Sequence, residues 1–336
     1  MSNVRQALQS AWLRRGPLAW ALAPLSVLYG FALRLREGLF RAGVLGIERA
    51  PVPVVVVGNV VAGGAGKTPV VMAIAERLTA QGVAVGVVSR GHGRRGGECR
   101  PVTPGSDPAE VGDEPLLVAT RCHVPVFVAA RRPRAVQALL QAHPGTELIL
   151  SDDGLQHRAM ARDVEICVFD RRGAGNGWLL PAGPLREPWP RAVDLVLRDA
   201  DAAGIDGFVV RRRLAGYAWR PGGERIGLGE LAAAGECAAL AGIAQPQAFF
   251  GQLRAAGIRL RNAWPLPDHH DFAAGGPWSA AKLPLLCTEK DAVKLWRHQP
   301  AAWAVPLELE IDAAFWPALQ SLLQPKLSSP HGPQTA

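Results

Sequence analysis

The chain has 336 residues, 49% of them hydrophobic and 20% charged, so it can bury a sizeable core and is not a disordered chain. Its formal net charge is +8. Because the basic residues are spread along the chain, they favour an anion-binding surface over a nucleic-acid arm. Five scattered cysteines lack any metal-ligand or redox spacing and indicate a reducing compartment without a zinc site: Cys99, Cys122, Cys167, Cys237 and Cys287.

The first predicted element is the uncharged segment from Pro17 to Leu33. Its length is at the lower edge of the roughly 17–25 residues that span a bilayer, and Pro24 interrupts it. Arginines flank both ends, so the positive-inside rule does not assign one end to the outside: Arg14, Arg15, Arg34, Arg36 and Arg41. A helix lying in the cytoplasmic leaflet fits better than a full span, and a buried core helix is the alternative. A signal peptide is disfavoured because the next motif needs cytosolic nucleotide.

A phosphate-binding loop follows this segment. The β-branched run from Pro51 to Gly58 predicts a buried strand, and Lys67 to Gln81 has the apolar spacing of a helix. Between them, the amides of a glycine loop and the positive end of the helix can bind phosphate, with Lys67 on the β- and γ-phosphates of ATP and Thr68 on Mg²⁺. Val61 stands where the strict motif has its first glycine, and a chance glycine turn is the alternative. The loop residues are Gly63, Gly64, Ala65, Gly66, Lys67 and Thr68.

Further strands alternate with helices, which predicts a P-loop NTPase with a doubly wound parallel α/β sheet. The predicted strands are 83–88, 124–128, 147–150 and 164–169, and the predicted helices are 114–121 and 133–143. Pro125 has no N–H to donate, so its strand is expected to pair only from Val126 onward. Ligands bind at the carboxyl ends of strands in such sheets, where the polar residues of this sequence cluster.

One strand end carries paired carboxylates. The apolar run Leu148 to Leu150 leads to Asp152 and Asp153, as in a Walker B segment, and an acid there can hold Mg²⁺ directly or through water. A chance Asp-Asp-Gly turn is the alternative. His157 follows and can contact nucleotide or phosphate, although a solvated turn explains it nearly as well.

Two other loops at this edge carry charge. Arg90, after the second strand, can clamp an anionic ligand, although a surface loop is equally compatible with its composition. Asp113 and Glu114 open a predicted helix, where carboxylates are favoured by the helix dipole alone.

From about Asp206 the pattern changes. The arginine-rich stretch Val209 to Leu214 and the turn Pro221 to Gly223 predict a linker into a smaller α/β domain. We therefore expect four regions: a membrane-associated helical segment (1–37), a P-loop kinase domain (38–205), a smaller carboxyl-terminal α/β domain (206–325) and a disordered tail (326–336).

Several short sequence motifs, taken in their order along the chain, resemble those of the tetraacyldisaccharide 4'-kinase family of lipid A biosynthesis. They are Gly58-Asn59 with Gly63 to Pro69, Ser89-Arg90-Gly91, Gly112 to Pro115, Asp152 to His157, Gly175 to Trp178, Pro181 to Glu187, Asp268-His269 and Thr288 to Lys294. The set extends over most of the chain. The family commonly has tyrosine where this chain has His92.

The resemblance implies transfer of the ATP γ-phosphate to the 4'-hydroxyl of a tetraacyldisaccharide 1-phosphate in lipid A (lipopolysaccharide) biosynthesis. It implies ATP and Mg²⁺ as cofactors and a location at the cytoplasmic face of the inner membrane of a Gram-negative bacterium. The partners expected are the lipid A disaccharide precursor and lipids of the cytoplasmic leaflet, with no nucleic acid and no obligate protein partner.

The resemblance also implies roles for single residues. Asp113 corresponds to the catalytic base and His269 to its orienting partner, facing each other across a cleft that domain closure completes. Arg132, Arg186 and Glu187 match polar residues near the family's active site. The rival interpretation is a P-loop switch or partitioning-type ATPase, which generally has lysine where this chain has Ala62. A nucleic-acid binder lacks any recognisable motif.

Overall fold

The computed structural model describes residues 10–280 and 282–327, which form two β-sheets with helices packed against them. Parts of two predicted regions, residues 1–9 of the membrane-associated segment and 328–336 of the tail, lie outside the described residues. Lys326 and Leu327, which the prediction assigned to the tail, are the last residues of a helix.

The uncharged segment forms helix α1 (Pro17–Arg41), which is longer than predicted and contains Pro24 without a break. Only Ala19 and Ser26 of this helix are buried. Exposed fractions of 41% to 71% are found for its apolar side chains Leu18, Trp20, Leu25, Val27, Leu28, Phe31 and Leu35. A core helix would bury these side chains, so the structure argues against that alternative. Within the described residues, α1 is the helix whose length and composition suit a membrane.

The first sheet contains nine strands within the described residues. They are β1 (Val54–Gly58), β2 (Val85–Ser89), β3 (Arg100–Val102), β4 (Val126–Val128), β5 (Leu148–Asp152), β6 (Val164–Phe169), β7 (Leu195–Asp199), β8 (Phe208–Leu214) and β15 (Leu307–Ile311). Their order is β15-β8-β7-β6-β1-β5-β2-β4-β3, and all neighbours are parallel except the edge strands β15 and β3. This confirms the predicted parallel α/β sheet, and β4 pairs from Val126 onward as expected.

Helices cover both faces of this sheet. They are α2 (Lys67–Ala80), α3 (Pro108–Val111), α4 (Asp113–Cys122), α5 (Arg132–Ala142) and α9 (Phe315–Leu327). Alternate valines of β1 enter two different cores, Val55 and Val57 with the side chains of α2, α4 and α9, and Val54 and Val56 with those of α5. A strand buried on both faces explains the unbroken valine run.

The second sheet has the order β10-β9-β14-β13-β11-β12. Its strands are β9 (Tyr217–Trp219), β10 (Arg225–Gly227), β11 (Glu236–Ala241), β12 (Arg259–Pro265), β13 (Leu285–Thr288) and β14 (Trp303–Val305). Its helices are α6 (Leu228–Ala234), α7 (Pro246–Ala255) and α8 (Glu289–Leu295), with a short 3₁₀ turn at Pro277–Ala280.

The two sheets divide the chain differently from the boundary predicted at residue 206. The arginine-rich stretch is not a linker but strand β8 of the first sheet, where Arg213 makes ion pairs of 3.3 Å with Glu308 and 2.8 Å with Glu310 on β15. The chain therefore leaves the first sheet after Leu214 and returns to it at Leu307. Complementary charges about 95 residues apart in sequence cannot be recognised from a local pattern.

A partly buried ion pair joins the two sheets on the side of α4. Arg121 at the end of α4 lies 2.6 Å from Glu289 at the start of α8 and 3.0 Å from Glu76 of α2. Glu289 also accepts a hydrogen bond of 3.0 Å from Trp219 Nε1 on β9. These contacts hold α8 against α4, and this packing positions the residues described next.

Candidate active site

The phosphate loop connects the central strand β1 to α2, as predicted. Gly63 and Gly66 have positive φ angles of 101° and 75°, and Gly66 is the residue that precedes the first turn of α2. Glycine is favoured at both positions because other L-residues rarely adopt this conformation. The loop thus places the amino terminus of α2 at the carboxyl end of β1, the arrangement that binds phosphate.

The Lys67 ammonium contacts two side-chain oxygens, and phosphate oxygens can take their place as its partners. Its ammonium is 3.4 Å from Asn59 Oδ1 and 3.5 Å from Asp153 Oδ1. Asn59 is fully buried directly after β1, and Arg186 also donates a hydrogen bond to its side-chain oxygen. Asn59 was not predicted as a site residue, although its place at a strand end was a usable signal.

Thr68 and Asp152 form a buried oxygen pair. The Thr68 hydroxyl donates to Asp152 Oδ2 at 3.0 Å, whereas Asp152 Oδ1 is buried without a hydrogen-bond partner. Burial raises the pKa of Asp152 to about 7, and the nearby charge of Glu114 adds to the rise. An unpartnered carboxylate oxygen beside a hydroxyl is a donor set suited to Mg²⁺, which prefers oxygen ligands and binds through one or two carboxylates plus phosphate.

Asp153 has a different environment from its neighbour. Its carboxylate accepts two hydrogen bonds from Arg186, at 3.1 and 3.3 Å, and its backbone has a φ of 49°. Burial raises the pKa of Asp153, but Lys67 and Arg186 outweigh burial and hold it below the ordinary value. Because its oxygens are already occupied by cations, Asp153 is less available for Mg²⁺ than Asp152.

Arg132 and His157 support this pair from behind. The buried Arg132 guanidinium donates to the backbone carbonyl oxygens of Asp152 at 3.1 Å and Asp153 at 3.2 Å, and burial lowers the pKa of Arg132 to about 10. His157 Nε2 accepts a hydrogen bond from the Arg132 backbone N–H at 3.1 Å. Both residues therefore orient the carboxylates rather than face open solvent.

Glu187 and Arg90 differ in their availability to a ligand. Glu187 is buried and is occupied by Gln156 Nε2 at 2.6 Å, Arg158 at 3.2 Å and Arg191 at 3.7 Å. Arg90 is exposed after β2, and no carboxylate among residues 10–280 and 282–327 forms an ion pair with it. Glu187 orders the loop behind Arg186, while Arg90 is open to an anion.

Asp113 and His269 meet between the two sheets. Asp113, the first residue of α4, is buried, and its Oδ2 lies 2.9 Å from His269 Nδ1. His269 follows β12 with a φ of 61°. Their side chains are already in contact in this structure. Burial raises the pKa of Asp113, but hydrogen bonds from His269 and Lys294 outweigh it and keep the pKa below the ordinary value.

A cavity of about 480 Å³ opens beside this pair. Its lining includes Asp113, His269, Lys294 and Arg297. His92, at the position where the family resemblance leads us to expect tyrosine, also lines it, and its ring centroid is 5.9 Å from that of His269. His270 instead packs on Phe272 and Trp278.

Sequence reasoning assigned no role to four further charged residues at the site. Arg172 and Arg212 donate to the carbonyl oxygens of Ala62 and Ala65 in the phosphate loop, at 3.3 and 2.8 Å. Arg172 follows β6, so its strand-end position was a signal, whereas Arg212 lies inside the stretch mistaken for a linker. The other two are Lys290 and Lys294, one helical turn apart on α8.

Comparisons with known proteins agree with this architecture. The family model described as tetraacyldisaccharide-1-P 4'-kinase matches residues 18–324. Tetraacyldisaccharide 4'-kinase of Acidovorax ebreus is 54% identical over 98% of both chains, and that of Delftia acidovorans is 49% identical over 95% of both. A crystal structure of LpxK from Aquifex aeolicus in complex with ATP aligns with a TM-score of 0.80 at 28% identity, covering 92% of this chain and 99% of that one.

The hydrogen bond at His157 predicts a specific pH dependence of stability. Burial and the charge of Arg132 lower the pKa of His157 from 6.5 to about 4. A lowered histidine pKa contributes stability that is complete above about pH 6.5 and is lost as the pH falls toward 4, because the unfolded chain binds the proton more tightly. In His157→Gln, which keeps an acceptor, the free energy of unfolding should fall less steeply across this interval.

Urea unfolding at pH 7, 6, 5 and 4.5 measures this difference. His298→Gln, at an exposed position, is the matched control and should follow the wild-type slope. Equal slopes for wild type and His157→Gln would show that His157 is not held neutral by the fold.

Proposed function

The chain belongs to the tetraacyldisaccharide-1-P 4'-kinase family, and on that basis we propose that it transfers the γ-phosphate of ATP to the 4'-hydroxyl of a tetraacyldisaccharide 1-phosphate in lipid A biosynthesis. The names of the relatives supply the acceptor, and the ATP complex of LpxK supplies the donor. One observation carries the proposal: Asp113 is the first residue of α4, and α4 packs against α2, the helix that begins at Lys67 of the phosphate loop. The candidate base and the donor site therefore share one sheet edge.

The donor half of the site consists of the loop amides, Lys67 and the exposed Arg90. Lys67 contacts Asn59 and Asp153 at 3.4 and 3.5 Å, distances that are long for strong hydrogen bonds. Its ammonium is thus free to move onto the β- and γ-phosphates. Arg172 and Arg212 already have carboxylate partners, Asp170 at 2.7 Å and Asp199 at 2.8 Å, so they stabilise the loop.

Thr68 and Asp152 are the residues we propose to hold Mg²⁺, with Asp153 behind them. When bound, the ion neutralises charge that develops on the phosphates and favours the ionised form of Asp152. Asp153 pairs with Arg186, and Arg132 donates hydrogen bonds to the backbone carbonyl oxygens of Asp152 and Asp153. These contacts hold Asp152 in place.

Asp113 is the residue we propose to activate the acceptor. The 4'-hydroxyl transfers its proton to the Asp113 carboxylate, its oxygen forms a bond to the γ-phosphorus, and the bond from that phosphorus to the β–γ bridging oxygen breaks to release ADP. His269 orients the carboxylate. The 480 Å³ cavity beside the pair is the space in which we expect part of the acceptor to lie.

Helix α1 suits a membrane-associated role. Its exposed apolar side chains and its arginines match a helix that lies in or dips into the cytoplasmic leaflet, and a lipid acceptor and cytosolic ATP both require that location. The helix is also tied to the active site, because Tyr29 donates to the Arg186 carbonyl oxygen at 2.9 Å and Ser26 to that of Leu179 at 2.8 Å.

Transfer by the purified protein tests the activity. In detergent with Mg²⁺ and γ-labelled ATP, the wild-type protein should label tetraacyldisaccharide 1-phosphate. Asp113→Asn should reduce kcat by roughly 10²–10⁴, the usual contribution of a general base, while ATP affinity stays within about twofold. Asp206→Asn, at an exposed position, is the control.

Two results would contradict this account in different ways. Folded wild-type protein that binds ATP but labels no acceptor would exclude the proposed activity. Undiminished transfer by Asp113→Asn would leave the activity intact and remove Asp113 from the mechanism.

Membrane association is tested by co-sedimentation with vesicles that contain phosphatidylglycerol. Leu28→Glu combined with Phe31→Glu should lower the partition coefficient at least about tenfold, because two apolar side chains lose their burial in lipid. Ala255→Glu combined with Ala256→Glu adds the same charge at exposed positions on α7 and the residue after it, and should bind as the wild type does. Equal binding by all three proteins would refute α1 as the anchor.

A further inference from the structure

Two lysines on α8 contact the Asp113–His269 pair from the second sheet. Lys294 Nζ lies 2.8 Å from Asp113 Oδ2, and Lys290 Nζ lies 3.3 Å from His269 Nε2 and 3.0 Å from Asp268. Their side chains are only 13% and 20% exposed. Lysine is rarely so buried unless it is paired, so these are built contacts rather than surface charges.

The contact at Lys290 determines how His269 carries its proton. An ammonium group has three donors and no acceptor, so its contact of 3.3 Å favours an unprotonated His269 Nε2 as the acceptor. Asp268 Oδ1 also faces Nε2 but lies 3.8 Å away, beyond hydrogen-bonding distance. A neutral imidazole then carries its hydrogen on Nδ1, which is the nitrogen 2.9 Å from Asp113 Oδ2. The ring therefore donates to the carboxylate, in a chain from Lys290 through His269 to Asp113.

The contact at Lys294 determines which oxygen of Asp113 is open. Both His269 and Lys294 donate to the same oxygen, Oδ2. Oδ1 receives neither of these hydrogen bonds, and Asp113 lines the 480 Å³ cavity. A carboxylate with one oxygen saturated by donors offers the other to an incoming hydroxyl proton.

We propose that Lys290 and Lys294 are positioning residues of the kinase reaction: Lys290 fixes the Nδ1–H tautomer of His269, and Lys294 engages Asp113 Oδ2 so that Oδ1 accepts the acceptor's proton. This inference rests on the proposed function and goes beyond it. It assigns the two lysines separate tasks, tautomer selection and retention of the carboxylate charge, and neither lysine touches the reacting atoms.

Other charged groups also face this cluster. Asp268 pairs with Lys290 and offsets part of its charge, so Lys294 is the stronger cationic influence on Asp113. Glu114 follows Asp113 on α4, and the other titratable or charged side chains around the cavity are His92, Arg95, Asp107, His270, Asp271, Arg297 and His298. None of these has the 2.8 Å contact that Lys294 makes with Asp113.

The first test is the pH profile of kcat/KM between pH 5 and 8.5 in mixed micelles. Lys294→Met keeps the stem and removes the charge, so its acid limb should move upward by at least about one pH unit, because an opposite charge at this distance lowers a carboxyl pKa by about 1–3 units. Because the pKa of Asp113 is held below its ordinary value in the wild type, the loss should be largest at the acid end of the profile and smallest near pH 8. Lys294→Arg should restore most of the profile.

Lys326→Met is the matched control, since it removes a lysine charge at α9, away from the cluster, and should keep the wild-type profile. A loss in Lys294→Met that is the same at every pH, or a profile that Lys294→Arg does not restore, would overturn the role of Lys294 and leave it a packing residue.

The second test does not depend on turnover. ¹⁵N NMR of imidazole-labelled protein without acceptor should show His269 with a protonated Nδ1 and an unprotonated Nε2, and Lys290→Met should shift it to a tautomer mixture. Lys290→Arg should preserve the wild-type spectrum. A wild-type ring protonated on Nε2 would refute the assignment of Lys290.

The transfer assay and the NMR spectrum test the proposed kinase activity and the role of Lys290 separately. Absence of transfer by the wild-type protein, together with the expected tautomer, would contradict the proposed function and leave the assignment of Lys290 standing. Normal transfer together with the opposite tautomer would contradict this inference alone.

Discussion

The hydrogen bond of 2.9 Å between Asp113 and His269 is the constraint on which the rest of the site depends. It joins the first sheet to the second, because Asp113 begins α4 and His269 follows β12. A bond this short requires α8 and α4 to pack closely, and the partly buried pair of Arg121 and Glu289 at 2.6 Å holds them together. The contact between the sheets is thus part of the active site rather than a separate structural matter.

A second requirement is to keep several buried carboxylates from repelling one another at one sheet edge. The structure gives each acid a separate counterpart. Asp153 pairs with Arg186 and Lys67, Asp113 with Lys294, and Asp152 keeps a buried oxygen without a partner. Burial raises the pKa of Asp152, whereas the donors beside Asp153 and Asp113 outweigh burial and lower their pKa values. Different environments suit like residues to the separate roles proposed for them, metal ligand, anchor and base.

Local patterns sufficed for the first sheet and for the phosphate loop. The valine run of β1, the glycine loop and the helical spacing after Lys67 each depend on neighbours in sequence, and the structure agrees with them within a few residues. The site residues came from strand ends and from the family resemblance, and the structure brings Asp113 and His269 together across 156 residues. What failed was β8, whose partner strand β15 lies about 95 residues further along the chain.

The lysines of α8 were missed for a similar reason. Their spacing of one helical turn was readable, but nothing in the sequence near Lys294 indicates that Asp113 lies 2.8 Å away. Arg212 was hidden in the same way inside a supposed linker. Long-range electrostatic partners are set by tertiary packing, which a local sequence pattern does not encode.

The central claim is that Asp113 Oδ1 receives the acceptor's proton beside the phosphate loop. A crystal structure with Mg²⁺, a non-hydrolysable ATP analogue and the disaccharide acceptor measures this directly. The account predicts the 4'-hydroxyl within about 3.2 Å of Asp113 Oδ1, with the terminal phosphate between that hydroxyl and Lys67. The account would be contradicted by an acceptor whose 4'-hydroxyl is in line with the terminal phosphate but lies beyond about 6 Å from Asp113 and is hydrogen-bonded to another residue instead.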